Sequence, residues 1–264
     1  MNKHIAKKSL GQNFLTSKRI VERIVMEGRV TETDTVLEIG PGKGILTEAL
    51  LDKAKKVFAV EKDDNLFEFL NEKFAEEIKI GKLELIHSDI LDLNLITHYS
   101  SLTTGNYKVI ANIPYNITGE IIRKFLSTKP EPSSMTLLVQ KEVAERIVAR
   151  DKKESILSLS VKAFGTPRLG FKISRGQFNP PPNVDSMVIS VDDIKNPFKN
   201  SEEKKFFEVV KAGFAHKRKF LIRNLEKVST KEKLDEIFSS EKISSSARSE
   251  DLKLENWINI SKKI

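Results

Sequence analysis

The chain of 264 residues has no cysteine. That absence removes disulfides, thiolate zinc sites, iron–sulfur clusters and cysteine nucleophiles together. Its four histidines, His4, His87, His98 and His216, are scattered without ligand spacing, so no metal site is expected. No uninterrupted apolar run approaches the roughly 20 residues a membrane span requires. The opening stretch MNKHIAKK carries no apolar segment after its lysines, so no signal sequence or membrane contact is expected and the chain reads as cytoplasmic. Internal repeats and low-complexity tracts are missing as well. What remains is ordinary for a folded soluble protein: 39% hydrophobic and 31% charged residues.

Charge is present in excess of one sign. Lys and Arg number 45 against 37 Asp and Glu, a net charge of +8. The surplus is uneven, because the stretch from Lys195 onward holds 17 basic and 11 acidic residues. A basic C-terminal quarter suits a polyanionic partner such as RNA. A lysine-rich surface kept for solubility would look the same by charge alone.

The first two-thirds alternate short apolar runs with helical patterns. Strand-like runs are Thr35–Ile39, Lys56–Val60, Leu83–Ile86, Tyr107–Ala111 and Met135–Val139. Helical patterns follow each, as in Ile45–Leu51 and Ile117–Leu126, and one over Lys18–Met26 precedes the first strand. Continuous apolar strands separated by helices predict a parallel sheet buried on both faces. Two further strand-like runs, Leu169–Ser174 and Met187–Val191, close the sheet. The polar stretch Asp192–Glu203 reads as a linker, and only helical patterns follow it. The predicted organisation is a cofactor-binding catalytic domain over 1–191, a linker over 192–203 and a helical RNA-binding domain over 204–264.

The most informative segment is Glu38-Ile39-Gly40-Pro41-Gly42-Lys43-Gly44-Ile45, a strand running into a glycine turn and a helix. Glycines let the backbone turn sharply and leave room for a ligand against the main chain. A dinucleotide fingerprint needs glycine at position 45, where this chain has Ile45, and no P-loop lysine–serine pair follows. The G-x-G-x-G spacing suits a nucleoside without a pyrophosphate. Glu61 ends the second strand 21 residues after Gly40 and can accept both ribose hydroxyls. Asp89, followed by Ile90, ends the third and can accept from an adenine amino group. Singly, each acid is as consistent with a helix cap or a solvated loop. Together and in this order they favour S-adenosyl-L-methionine over NAD. Glu38 suits either the cationic end of that cofactor or a strand-end salt bridge.

The fourth strand ends Ala111-Asn112-Ile113-Pro114-Tyr115-Asn116. An exocyclic adenine nitrogen is a poor nucleophile, because its lone pair is delocalised into the ring. An Asn carboxamide oxygen and a neighbouring backbone carbonyl can accept both amino hydrogens and draw the nitrogen toward tetrahedral geometry. Pro114 fixes the turn that presents the Ile113 carbonyl. Tyr115 offers a stacking face for a base taken out of its helix. Catalysis of this kind is positioning and electrostatics rather than general-base chemistry. Out of context, the same residues read as a proline turn with an Asn cap.

Those residues, with Lys8–Leu15 (KSLGQNFL), Leu138–Ala144 (LVQKEVA), Phe178–Ser186 (FNPPPNVDS) and Phe214–Leu225 (FAHKRKFLIRNL), span nearly the whole chain. In these motifs the chain resembles the ribosomal RNA adenine N6-dimethyltransferases, most closely the small-subunit branch whose loss confers kasugamycin resistance. The resemblance implies an α/β class I S-adenosylmethionine-dependent methyltransferase fold, a Rossmann-like, mostly parallel sheet with its last strand antiparallel, plus a small C-terminal all-helical domain. It implies dimethylation of two adjacent adenosines in a 3′-terminal hairpin loop of small-subunit rRNA, in an assembling ribosomal subunit, by a monomer without metal. Asn13, Leu15, Gly40, Gly42, Glu61, Asp89, Ile90 and Asn112 carry over as cofactor contacts. Asn112, Pro114 and Tyr115 match the base-gripping motif, and Phe178 matches the aromatic on the opposite side of the flipped base. By residue physics alone, Phe178 before three prolines is equally a core anchor on a stiff loop. Lys217, Arg218, Lys219 and Arg223, read at helical spacing, are phosphate contacts or an exposed basic helix face. Two alternatives stay open: a large-subunit dimethyltransferase of the macrolide-resistance type, and an RNA-binding ribosome assembly factor with secondary catalysis. Thr16-Ser17 and His216-Lys217 depart from the small-subunit pattern and bear on RNA contacts only.

Overall fold

The computed structural model describes residues 11–94, 107–127, 129–199 and 201–264. His4, His98, the opening stretch and the Lys8-Ser9-Leu10 part of the N-terminal motif lie outside the described residues. The chain divides into two compact units, Met1–Ala144 with Gly165–Lys195, and Glu145–Phe164 with Asn196–Ile264.

The first unit is built on strands β2 (Thr35–Ile39), β3 (Lys56–Glu61), β4 (Leu83–His87), β5 (Tyr107–Asn112), β6 (Ser134–Gln140), β7 (Thr166–Ile173) and β9 (Ser186–Asp192). They form one sheet in the order β4-β3-β2-β5-β6-β9-β7. The β2–β3, β2–β5, β3–β4 and β5–β6 pairs are parallel. The last strand, β9, runs antiparallel to both neighbours. Val57 through Val60 are all at most 2% exposed, which is why the runs are continuously apolar rather than alternating. Helices α1 (Lys18–Glu27) and α2 (Ile45–Leu51) join this core through Ile24, Val25, Leu46 and Leu50. Ser17 caps α1 by accepting from the Ile20 amide. Asp63 caps α3 (Asp64–Lys73) by accepting from the Asn65 and Leu66 amides.

A two-stranded ribbon that periodicity did not predict joins β1 (Phe14–Leu15) to β8 (Phe178–Asn179), with Leu15 opposite Phe178. Helices α5 (Thr118–Ser127) and α6 (Lys141–Val148) follow β5 and β6, whereas two short helices, α4 (Ala75–Lys79) and α7 (Ile156–Lys162), have no counterpart in the expected pattern. A Ser155/Ser158 capping box starts α7.

The second unit contains α7, α8 (Glu202–Gly213), α9 (Leu221–Leu225), α10 (Lys231–Ser240) and α11 (Leu254–Lys263). Phe206, Leu221, Leu225, Leu234, Trp257 and Ile260 are fully buried in it. The expected boundaries at 191 and 203 require correction. Residues 145–164 belong with the C-terminal helices, because the Glu154 amide donates to the Glu250 carbonyl at 2.8 Å and Lys153 pairs with Glu250 at 2.6 Å. Phe164 adds ring contacts with Phe198 and Phe207. Nor is the 192–203 stretch a free linker: Ile194 is 9% exposed and donates its amide to Ser133. Phe198 packs its ring against Phe206.

Gly44 precedes α2 at φ 75°, and a Cβ there would meet the Phe74 ring at 2.6 Å. Left-handed backbone and overpacking add, so Gly44→Ala is expected to cost about 2–4 kcal/mol in urea unfolding. A loss below about 1 kcal/mol would contradict this account of the turn.

Candidate active site

Parallel register brings four strand ends to one sheet edge. Ile39 pairs with Val60, and Glu61 with His87. The ladder continues into the loops, where the Gly40 amide donates to the Val60 carbonyl at 2.9 Å and the Ser88 amide to the Glu61 carbonyl at 3.1 Å. Gly40, Gly42, Glu61, Asp89, Ile90 and Asn112 therefore line one cavity, together with Asn13, Pro114 and Tyr115.

Gly40 adopts φ 65° with no heavy atom within 4 Å of a would-be Cβ, so its main chain lies bare. At Gly42 a Cβ would strike the Phe14 ring at 2.8 Å, so this glycine lets β1 close against the turn. The Glu61 carboxylate is 6% exposed. Its Oε1 accepts the Lys62 and Asp63 amides at 2.9 Å each, and Oε2 accepts the Gly42 amide at 3.2 Å. Burial pushes its pKa up, against the three N–H donors that favour the ion. A carboxylate oxygen has two lone pairs, so Oε2 retains acceptor capacity for a hydroxyl.

Asp89 differs from expectation in having a partner: Lys62 donates to its Oδ2 at 2.6 Å, and the Leu91 amide to its Oδ1 at 2.9 Å. Burial raises its pKa, but Lys62 and Leu91 outweigh burial and hold it below the ordinary range. Glu38 makes no ion pair among the described residues and accepts from the Thr47 hydroxyl at 2.7 Å. It lines a smaller cavity with Leu15, Gly40, Gly42 and Asn112. Complete burial pushes Glu38 up to about 8, and the Glu61 charge adds to the rise despite Thr47.

Asn112 is held in one orientation. Its Nδ2 donates to the Asn13 main-chain carbonyl at 3.0 Å. A carbonyl oxygen only accepts, so the amide must present its NH2 there, which leaves Oδ1 as acceptor. The Asn13 side chain donates to the Gly11 carbonyl at 3.0 Å, and Gln12 Nε2 donates to Asp63 at 3.1 Å, which ties the segment down. Pro114 starts a tight turn whose carbonyl accepts the Ile117 amide at 3.4 Å and the Thr118 hydroxyl at 3.5 Å. The Tyr115 hydroxyl lies 2.5 Å from Ser186 Oγ.

Phe178 is not on the cavity wall. It is 4% exposed and packs in the hydrophobic core beside Leu15, because β8 pairs with β1. The core-anchor reading describes its position in this structure. The basic cluster also sits differently from its expected helical spacing. Lys217, Arg218 and Lys219 occupy the turn between α8 and α9, and only Arg223 is helical. Buried Asn224 sets that turn by donating to the Gly213 and His216 carbonyls at 2.6 and 3.1 Å. All four cations are exposed, and Arg223 pairs with Glu226 at 2.9 Å. Sequence reasoning missed the Asn13–Asn112 and Tyr115–Ser186 contacts, whose partners are 99 and 71 residues apart. Among the described residues no group of His, Cys, Asp or Glu is arranged to hold a metal, and no helix is long and apolar enough to cross a membrane.

The strand order, the single reversed strand and the glycine turn with Glu61 beyond it define the fold of the class I S-adenosylmethionine-dependent methyltransferases. The wall fits that cofactor through bare main chain at Gly40 and unfilled acceptor positions on Glu61. The family model described as ribosomal RNA adenine dimethylase matches residues 3–264, and the chain belongs to that family. It is 38% identical over 257 residues to the ribosomal RNA small subunit methyltransferase A of Dehalococcoides mccartyi, covering 96% of this chain and 86% of that protein. It is 39% identical over 261 residues to the protein of the same name from Fusobacterium nucleatum subsp. nucleatum, covering 97% and 96%. Among solved structures, the 23S rRNA methyltransferase ErmE superposes with a TM-score of 0.76 at 22% identity, over 95% of this chain and 99% of that one. A dimethyladenosine transferase from Plasmodium falciparum gives 0.74 at 24%, over 94% and 95%. Both likenesses speak for the fold.

Burial of Glu38 has a pH signature. Its folded pKa of about 8 lies above the ordinary 4.5, so the native state holds a proton that the unfolded state has released between those values. Stability from this group is full below pH 4.5 and is lost as pH rises toward 8. Glu38→Gln removes that loss. In urea unfolding it should gain roughly 3 kcal/mol on the wild type between pH 5.5 and pH 8, by linkage. A pH-independent difference would mean that Glu38 titrates normally.

Proposed function

We propose that this chain dimethylates N6 of two adjacent adenosines in a 3′-terminal hairpin loop of small-subunit rRNA, in an assembling ribosomal subunit in the cytoplasm, and does so as a monomer. The observation that carries the reading is the Asn112 amide, clamped through its NH2 by the Asn13 carbonyl on the wall that also bears Gly40, Glu61 and Asp89. The names of the relatives at 38% and 39% identity support the small-subunit target.

When bound, S-adenosyl-L-methionine supplies a sulfonium methyl group. Gly40 and Gly42 leave room along the main chain, Glu61 accepts from the ribose hydroxyls, and Asp89 with Ile90 borders the adenine. Asn13 and Leu15 close the side that β1 covers. Asn112 Oδ1 accepts one hydrogen of the target amino group. The Pro114 carbonyl is engaged within its own turn, so the Ile113 carbonyl is the peptide acceptor for the other hydrogen. Held by both, the amino nitrogen turns its lone pair toward the methyl. It would form the new N–C bond as the donor's S–CH3 bond breaks and the neutral thioether leaves, and its surplus proton would pass to water. Tyr115 supplies the ring face for the extruded base. Phe178, the aromatic expected on the opposite side of the base, backs β1. Lys217, Arg218, Lys219 and Arg223 contact RNA phosphates.

With a labelled methyl donor, the protein should place label on two adenosines of unmethylated small subunits. Label on large-subunit rRNA instead would overturn the target, and no label on any rRNA would overturn the activity. Asn112→Ala should lower the methylation rate about 10²-fold or more, read as initial rates. A loss under about threefold would remove Asn112 from the chemistry. Reversing the charge of Lys217, Arg218 and Lys219 should weaken RNA binding and lower the slope of log affinity against log salt by about 2–3. Binding with an unchanged slope would show that these cations do not meet phosphates.

A further inference from the structure

Tyr115 has its backbone set by a local turn and its phenol oxygen held from a distant part of the chain. It opens the tight turn Tyr115–Ile117, and the Thr118 hydroxyl donates to its carbonyl at 3.2 Å. The distant end of the ring is held by Ser186 Oγ at 2.5 Å from the phenol oxygen.

Ser186 is well placed to act as an anchor. It is fully buried at the first position of β9, paired with Gln140 of β6 on one side and Ile173 of β7 on the other. A residue laddered on both edges has little freedom, so its hydroxyl is a fixed point in the sheet. Burial raises the Tyr115 pKa, so the phenol stays neutral, and one of the two hydroxyls donates to the other. Pinning both ends of an aromatic ring sets both side-chain torsions and hence the plane the ring presents.

We infer that Ser186 is a positioning residue for the reaction: through its hydrogen bond to the Tyr115 hydroxyl it sets the ring face against which the target adenine is held. The inference rests on the proposed role of Tyr115 at the base. Without the serine hydroxyl, the phenol is left unpartnered at a buried end and the ring is free to turn away from the stacking plane. Misplacement of a positioned group by about 1 Å costs up to about 10²-fold in rate, so partial loss of orientation should cost about tenfold.

The test is a double-substitution cycle on the whole protein with small-subunit RNA, following kcat, KM and cofactor binding. Ser186→Ala and Tyr115→Phe each remove the same hydrogen bond and keep the ring. Each should lower kcat about tenfold with cofactor affinity within about twofold, and the double variant should be no slower than either single one. Wild-type kcat in Ser186→Ala, or two losses that multiply in the double variant, would overturn the inference and leave Ser186 as core filling. If Ser186→Ala fails to fold, Tyr115→Phe carries the test, because loss of the phenol oxygen leaves the serine in place. Wild-type kcat in that variant overturns the inference equally. Tyr115→Ala separates the underlying reading. A large loss there beside wild-type Ser186→Ala sinks only the positioning role, whereas wild-type turnover in Tyr115→Ala sinks the stacking role and this inference together.

Discussion

The register of four parallel strands determines what this molecule can hold. Each strand of β4-β3-β2-β5 ends at the same edge, and each bears at its end or just past it a residue with ligand-directed chemistry. Gly40, Glu61, Asp89 and Asn112 are scattered over 72 positions of the chain, yet the ladder leaves them as neighbours. A slip of one residue in any strand would turn its terminal side chain to the other face, so pairing and site are one constraint. The rule that ligands gather at the carboxyl ends of such sheets follows from the same geometry.

The second determinant is orientation by hydrogen bonds that come from elsewhere in the chain. The Asn13 carbonyl decides which end of the Asn112 amide is free, and Ser186 decides how the Tyr115 ring lies. The β1–β8 ribbon joins the segment that bears Asn13 to the loop that leads toward Ser186, through Phe14–Asn179 and Leu15–Phe178 pairing. Two buried carboxyl groups, Glu38 and Glu61, lie by the same turn with no ion pair to either among the described residues, and both are pushed toward the neutral form. That arrangement is costly for folding and suits a cationic ligand, since positive charge restores their ordinary ionisation.

Much of this was legible in the amino-acid order. Continuous apolar runs separated by helical patterns marked the sheet, and the glycine spacing with Glu61, Asp89 and Asn112 marked its functional edge. Those signals are local, and period and turn chemistry report them directly. What stayed hidden depends on pairing at long range. Two-residue strands such as Phe14–Leu15 have no periodicity, so the ribbon had no signature, and Phe178 read equally as a core anchor or as a base-facing aromatic. Residues 145–164 join the C-terminal helices through Lys153, Glu154 and Phe164, contacts that composition does not encode. Lys217–Lys219 looked helical by spacing, but Asn224 holds that stretch as a turn.

The most direct test of the account is a crystal structure of the protein with S-adenosyl-L-methionine bound. The account requires the ribose hydroxyls on Glu61, the adenine beside Asp89 and Ile90, and Asn112 Oδ1 on the side of the sulfonium methyl with its NH2 still on the Asn13 carbonyl. A bound donor whose methyl points away from Asn112, with no space for a purine between that amide and Tyr115, would contradict it.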